Sequence, residues 1–270
     1  MSFDYEQSIW GARTATLKLS DPAAFRLRQA LHALKNLPAG AKVLEVGSGA
    51  GQFIRGLKKA RPDLLCFGID ISQEAIREAT KFADGVTYAV STATDLGFSD
   101  NYFEAVVIFD VLEHVPDPAD FLLRANRVLK PGGRFYGFVP CEGDGLSLWH
   151  ILDRVGLKKD LTKRFAGHIQ YFSRGALQNL LIKAGFKNIN CRYSEHILGQ
   201  ILGVVAFYLM ARQAKSQTNG SQINNEQYFA RQNTSGLARL FKDFVNSLVY
   251  SESVLLTRVA SPNVHVFAKK

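Results

Sequence analysis

Between residue 42 and about residue 140, short apolar runs alternate with stretches of helical periodicity. Lys42–Val46, Leu64–Ile69, Val86–Ala89, Ala105–Phe109 and Arg134–Val139 read as strands, and Gly51–Ala60, Gln73–Phe82 and Ala119–Leu129 read as the helices between them. Near-continuous apolar strands separated by helices describe a parallel sheet covered on both faces. Such a sheet takes its ligands at the carboxyl ends of its strands.

Outside this block the pattern changes. Ala23–Leu37 has helical periodicity, with Asp21 as candidate cap and Pro22 in the first turn. Ser173–Ala184 reads as a helix capped by Ser173 and closed by Gly185. Further strands are expected at Asn188–Tyr193 and Val264–Ala268, and the connection between them is long. Ile197–Met210 is apolar almost all round but too short to span a bilayer. Arg212–Ser235 is rich in Gln, Asn, Ser and Thr and reads as a polar linker. Leu237, Leu240, Phe241, Phe244, Val245, Leu248 and Val249 then fall on one helical stripe. The expected organisation is an N-terminal helical arm (1–40), a core (41–196), a helical insertion (197–261) holding the linker 212–235, and a final core strand (262–270).

A chain of 270 residues that is 47% apolar has enough material for one large core. Its net charge of +9 is unevenly placed. Residues 146–270 carry 17 Lys+Arg against 6 Asp+Glu, a surplus that would steer an anionic partner or an anionic membrane surface. Three cysteines are too few and too scattered for a disulfide framework or a four-ligand zinc site, so no metal is expected. The polar, acidic start Met1–Gln7 does not read as a targeting segment. A cytoplasmic location is expected, with peripheral contact to a membrane as a further expectation.

The strongest chemical signal is Val43-Leu44-Glu45-Val46-Gly47-Ser48-Gly49-Ala50-Gly51, a strand running into a glycine turn that opens a helix. Glycines there allow a sharp turn and close approach of a ligand, and the amides at the helix start favour a negative group. A dinucleotide would use such a loop too, but Gln52 stands where that fingerprint wants its third glycine. Asp70 closes the next apolar run 19 residues after Gly51, where an acid can bind ribose hydroxyls or serve the start of the following helix.

These motifs, with Thr94-Asp95-Leu96-Gly97-Phe98, Phe109-Asp110-Val111-Leu112-Glu113-His114-Val115 and Leu129-Lys130-Pro131-Gly132-Gly133, follow one another in an order and spacing that resembles the class I S-adenosylmethionine-dependent methyltransferases of the ubiquinone and menaquinone biosynthesis type. The resemblance covers about residues 40–140, with a weaker match from Gly167-His168 to Gly185-Phe186. Ser48 replaces the family's usual cysteine in the glycine loop. The resemblance implies a Rossmann-like, doubly wound, mostly parallel seven-stranded sheet with an antiparallel final strand and a helical insertion. It also implies S-adenosyl-L-methionine as cofactor. Glu45 and the loop Gly47, Ser48, Gly49 and Gly51 would hold the methionine end. Asp70 and Ile71 would hold the ribose side, Asp95 and the Leu96 amide would read the adenine, and Phe109 would lie against the cofactor.

A general base is needed only where the acceptor must lose a proton. His168 is the first candidate and His114 the second, with Glu142 where acceptor groups often lie. Acceptor choice falls to the parts outside the sheet: Tyr5 and Trp10 of the arm, the loop Glu142–Gln170, and the insertion as a lid over the acceptor. Their aromatic and apolar content points to a small hydrophobic or lipid-like molecule. A nucleic-acid methyltransferase and a non-catalytic cofactor-binding partner are the alternatives. The former lacks a base-flipping Asn-Pro-Pro-Tyr-type motif.

Overall fold

The computed structural model describes residues 4–6, 9–92, 95–157, 161–216 and 236–270. In chain order the elements are α1 (Ala24–Leu34), β1 (Lys42–Val46), α2 (Gln52–Ala60), β2 (Leu65–Asp70), α3 (Gln73–Thr80), β3 (Thr87–Val90), β4 (Phe103–Phe109), a 3-10 turn (Leu112–His114), α4 (Pro118–Val128) and β5 (Leu129–Pro140). Then come α5 (Leu148–Arg154), α6 (Leu161–Ala166), α7 (Arg174–Lys183), β6 (Lys187–Ser194), α8 (Leu198–Ser216), α9 (Gly236–Leu255) and β7 (Asn263–Lys269).

The strands form a seven-stranded sheet in the order β3-β2-β1-β4-β5-β7-β6. Strands β1 to β5 pair in parallel, while β7 runs antiparallel to both β5 and β6. Alternation along β4 sends Val106 and Ile108 to one face and Ala105, Val107 and Phe109 to the other. The first face packs under α4 and α7 through Phe121, Leu122, Leu177 and Leu181. The second packs under α1 and α2 through Leu27, Leu34, Ile54 and Leu57. Each layer buries the apolar stripe of its helices, giving the expected Rossmann-like, doubly wound architecture.

The expected elements are present, with shifts that have local causes. Ser173 caps α7 by accepting from the Ala176 amide, and Gly185 closes that helix at φ +85°. At α1 the N-cap is Ala23, which makes no side-chain cap bond. Asp21 instead gathers Thr16, Arg13 and the Ala23 amide. β5 begins at Leu129, because Leu129 pairs with Phe103 before the register shifts and resumes at Arg134 with Ala105. The helices α5 and α6 lie inside the expected loop Glu142–Gln170, and α5 is a helix of 7 residues that leaves each of them at least partly exposed. α8 continues to Ser216, into the start of the expected linker, and 217–235 lie outside the described residues.

Packing of the two long helices is uneven. α8 touches α5 and α6, while α9 touches β6 and α1. The stripe on α9 faces solvent at its start, where Leu237 is 79% and Phe241 68% exposed. Ile201, Val205 and Leu209, successive at i+4 along α8, are exposed too, as is Ile197 just before it. No helix among the described residues is long and apolar enough to cross a membrane.

Candidate active site

The glycine loop is shaped by its own backbone. Gly47, Gly49 and Gly51 all have positive φ, at +71°, +52° and +89°. The amides of Gly47 and Ser48 both donate to the Ile69 carbonyl, so the loop crosses to the end of β2. A Cβ on Gly47 would lie 2.5 Å from Val111 Cγ2, and one on Gly49 2.5 Å from the Trp10 carbonyl oxygen. A side chain at either position would collide with the chain packed against the loop, so only glycine fits this turn.

Two carboxylates stand beside this loop. Asp70 accepts from the Gly49 amide through Oδ2 at 2.7 Å and from the Ser72 amide through Oδ1 at 3.0 Å. Burial raises its pKa against the pull of those amides. Glu45 is 1% exposed, and its Oε2 has no hydrogen-bond partner among the described residues. Burial holds its pKa well above the usual carboxylate range, the Ile54 amide opposes this, and nearby Asp70 adds to it. Two acids lifted in this way are relieved by a positively charged ligand. S-adenosylmethionine, with its sulfonium and ammonium, is such a ligand, and the cradle and the free oxygen of Glu45 fit it.

The remaining expected cofactor residues line the same strand ends with differing exposure. Leu96 is fully buried, Asp95 is exposed and accepts from the Gly97 amide, and Thr94 lies outside the described residues. Ile71 is 55% exposed. The Phe109 ring stacks on Phe53 at 3.8 Å between centroids and is packed into the core, so at the end of β4 this residue offers its backbone rather than its ring.

The N-terminal arm folds over these strand ends. The Trp10 carbonyl accepts from the Ala50 amide at 2.7 Å. Glu6 accepts from Ser72 Oγ and from the amides of Gln73 and Glu74 at the start of α3. The Tyr5 ring meets His114 edge-on at 6.0 Å. Its phenol is pushed up to about 12 by burial, with Glu113 and then Asp70 adding to the effect. Tyr5 therefore sits between the acid of the cofactor loop and a second cluster beyond β4.

That second cluster is assembled from distant segments. After β4 the chain turns at Asp110, at φ +50°. Arg26 of α1 holds the Asp110 carboxylate at 2.6 Å and Glu195 at 2.9 Å while stacking over the Phe138 ring. The 3-10 turn then presents Glu113 and His114. The amides of Ile169 and Gln170 both donate to the Glu113 carbonyl, which ties the segment around His168 to that turn. His114 Nδ1 lies 3.1 Å from the Gly167 carbonyl oxygen, and His168 Nδ1 lies 2.7 Å from Glu142 Oε1. Thr162 Oγ1 donates to the other oxygen of Glu142. The two imidazole rings stand 5.1 Å apart.

The structure thus brings together His168, His114 and Glu142, which the sequence named separately. Burial, with His168 adding, pushes His114 down to about 4, so it is neutral at pH 7. Glu113 is fully buried, and burial followed by Asp110 holds its pKa well above the usual range. A histidine oriented by a carboxylate, with its second nitrogen free, is the arrangement that accepts a proton from a bound hydroxyl. The sequence reading assigned no role to Arg26, Glu113, Thr162 or Glu6. Glu113 lay in a recognised motif, but nothing in the pattern of α1 marked Arg26 as reaching residues 84 and 169 positions away.

The family model described as a methyltransferase domain matches residues 21–190, more than half of the chain. The chain is 37% identical over 99 residues to the ubiquinone/menaquinone biosynthesis C-methyltransferase UbiE of Desulfotalea psychrophila, covering 36% of this chain and 40% of that one. It is 33% identical over 126 residues to a ubiquinone biosynthesis O-methyltransferase of Methylococcus capsulatus, covering 45% of this chain and 51% of that one. The chain therefore spans about half the length of these relatives or less. Among solved structures, a SAM-dependent methyltransferase from Thermotoga maritima superimposes with a TM-score of 0.50 at 26% identity, covering 64% of this chain and 76% of that one. The glycine cradle, the acids beside it and the sheet order agree with this family, and the chain belongs to the class I S-adenosylmethionine-dependent methyltransferases.

Proposed function

We propose that this chain transfers the methyl group of S-adenosylmethionine to a hydroxyl oxygen of a small hydrophobic or lipid-like acceptor. The carrying observation is the His168–Glu142 pair beyond β5, whose second imidazole nitrogen has no hydrogen-bond partner among the described residues and lies in one cluster with His114 and Glu113. The cofactor supplies an electrophilic methyl on a sulfonium. The chain's own part is to bind, align and manage one proton, and alignment alone is worth roughly 7–11 kcal/mol in favourable intramolecular cases.

On the cofactor side, Glu45 and the loop Gly47, Ser48, Gly49 and Gly51 receive the methionine end, with Ile71 beside the ribose. Asp70 uses one oxygen for Gly49 and one for Ser72. A carboxylate has about four acceptor sites, so it can still accept from ribose hydroxyls. Asp95 and the Leu96 amide face the adenine, and the Phe109 backbone borders the cofactor. On the acceptor side, His168 draws the hydroxyl proton while Glu142 fixes its ring, and neutral His114 lines the site beside it. The exposed apolar side chains of α8 and α9 favour an apolar acceptor, as do relatives named for quinone biosynthesis. The basic second half suits delivery of that acceptor from an anionic membrane surface.

The test is a methyl-labelled cofactor offered with hydroxylated lipid-like aromatics, with amines and with RNA. Label on an acceptor oxygen is expected, and label on nitrogen, carbon or RNA would overturn the assignment. His168→Ala should abolish transfer while the dissociation constant for S-adenosylhomocysteine is unchanged.

A further inference from the structure

We propose that Glu113, His114 and His168 form a binding site for one divalent transition-metal ion of the zinc, cobalt and iron class. The sequence, read for cysteine clusters, led to no metal being expected. The tertiary structure places one ligand atom from each of these three residues within 4.8 Å of the other two.

The tautomers favour this use. His114 Nδ1 faces the Gly167 carbonyl oxygen, and His168 Nδ1 faces a carboxylate oxygen of Glu142. Both partners are acceptors, so each Nδ1 carries the hydrogen and each Nε2 is left with its lone pair. A backbone carbonyl and a carboxylate are the outer partners that orient metal-bound histidines and raise their basicity. Glu142 is itself steadied by Thr162.

Glu113 supplies the independent observation. It is fully buried, and neither carboxylate oxygen has a hydrogen-bond partner among the described residues. Buried carboxyls without partners are costly, and persist where a ligand completes them. Arg26, a cation of this neighbourhood, is committed to Asp110 and Glu195. The frame is prearranged as well, because the amides of Ile169 and Gln170 are bonded to the Glu113 carbonyl and hold the His168 segment against the 3-10 turn.

Ligand chemistry selects the ion. Two imidazoles and one carboxylate suit zinc, cobalt or iron, whereas magnesium and calcium prefer all-oxygen sites. Ligand bonds of about 2.0–2.2 Å require the three side chains to draw in slightly when the ion enters. Three protein ligands leave a position open for an oxygen ligand. The inference depends on the proposed function only for the identity of that oxygen, which would be the acceptor hydroxyl. In the metal-bound form the His168 lone pair would go to the ion, so the ion would replace His168 as the group that weakens the hydroxyl's hold on its proton, and the proton would pass to solvent.

The experiment titrates Co2+ into the purified full chain, stripped with chelator and free of any polyhistidine tag, and reads visible absorption and calorimetry. One equivalent is expected to bind with visible d–d bands, and Zn2+ should displace it. Glu113→Gln and His168→Ala should each lose the bands. Glu142→Gln should weaken binding by about 10–100-fold. Far-ultraviolet circular dichroism and S-adenosylhomocysteine affinity, both independent of acceptor chemistry, serve as controls for folding and should hold in every variant. Two outcomes would overturn the site: no saturable uptake up to about 1 mM Co2+, or unchanged bands in both Glu113→Gln and His168→Ala. Either leaves methyl transfer through His168 standing. Conversely, stoichiometric Co2+ binding would hold even if the acceptor proved not to be a hydroxyl.

Discussion

The two ends of the site are built by opposite means. On the cofactor side, neighbours in sequence make the structure: Glu45 through Gly51 and Asp70 through Ser72 are two short segments that bond to each other across adjacent strand ends. On the acceptor side, the turn 110–114, the Glu142 loop, Thr162 of α6 and the 167–170 segment converge, and Arg26 and Glu195 brace them from still farther along the chain. The first end is fixed by backbone geometry, which short-range chemistry dictates. The second depends on side chains that meet only after the sheet and its helices are in place. Damage to the first should therefore appear as lost cofactor binding, and damage to the second as lost transfer with cofactor binding retained.

The largest effect is expected at Gly47. Gly47→Ala would add a Cβ 2.5 Å from Val111 at a backbone φ of +71°, and backbone strain alone costs about 1–3 kcal/mol. Calorimetry should show S-adenosylhomocysteine binding weakened by about 100-fold, near 2.7 kcal/mol. A loss under threefold would mean the cradle is not the cofactor's seat. Asp70→Ala should come next. It removes charged partners worth about 1.5–3 kcal/mol, read in the same titration, and an unchanged dissociation constant in a folded variant would leave Asp70 a purely structural residue.

Arg26→Ala tests the other end. It leaves Asp110 and Glu195 unpaired, but both are partly exposed, at 38% and 27%, so the cost should fall below the 3–5 kcal/mol of a fully buried pair. Urea denaturation should show a loss of about 1–2 kcal/mol. Turnover should fall while cofactor affinity stays within about twofold, and a parallel fall in both would erase the contrast between the two ends. The smallest effect on stability belongs to Phe241→Ser on α9, whose exposed ring should contribute within about ±0.5 kcal/mol. If that face receives a lipid-like acceptor, the KM for the acceptor should nevertheless rise, and an unchanged KM would remove α9 from acceptor binding.

The order of strands and helices from β1 to β5 was legible because a buried parallel sheet demands apolar runs whatever its surroundings. The glycine loop and Asp70 were legible because a tight turn under a ligand tolerates few residue types. Ser173 and Gly185 announced the ends of α7 for the same local reason. α5 was not legible because its apolar positions Leu148, Trp149, Ile151 and Leu152 span a helix of only 7 residues, too short a window for periodicity to separate it from a loop. The extension of α8 into polar residues was missed because composition favoured a linker there. His168, His114 and Glu142 were each found as candidates, but their contact was not, because nothing local relates positions separated by 26 to 54 residues.

From sequence alone came the covered parallel sheet, the cofactor loop and the resemblance to a methyltransferase family, because period-2 and period-3.6 burial and glycine turns are properties of short segments. Only the tertiary structure decided that Glu113 would be buried without a partner, that its neighbours would be two histidines with their Nδ1 atoms engaged, and that Arg26 would fix the turn beneath them. Burial and pairing of a charged side chain depend on which distant residues close around it. Sequence spacing carries no record of that closure.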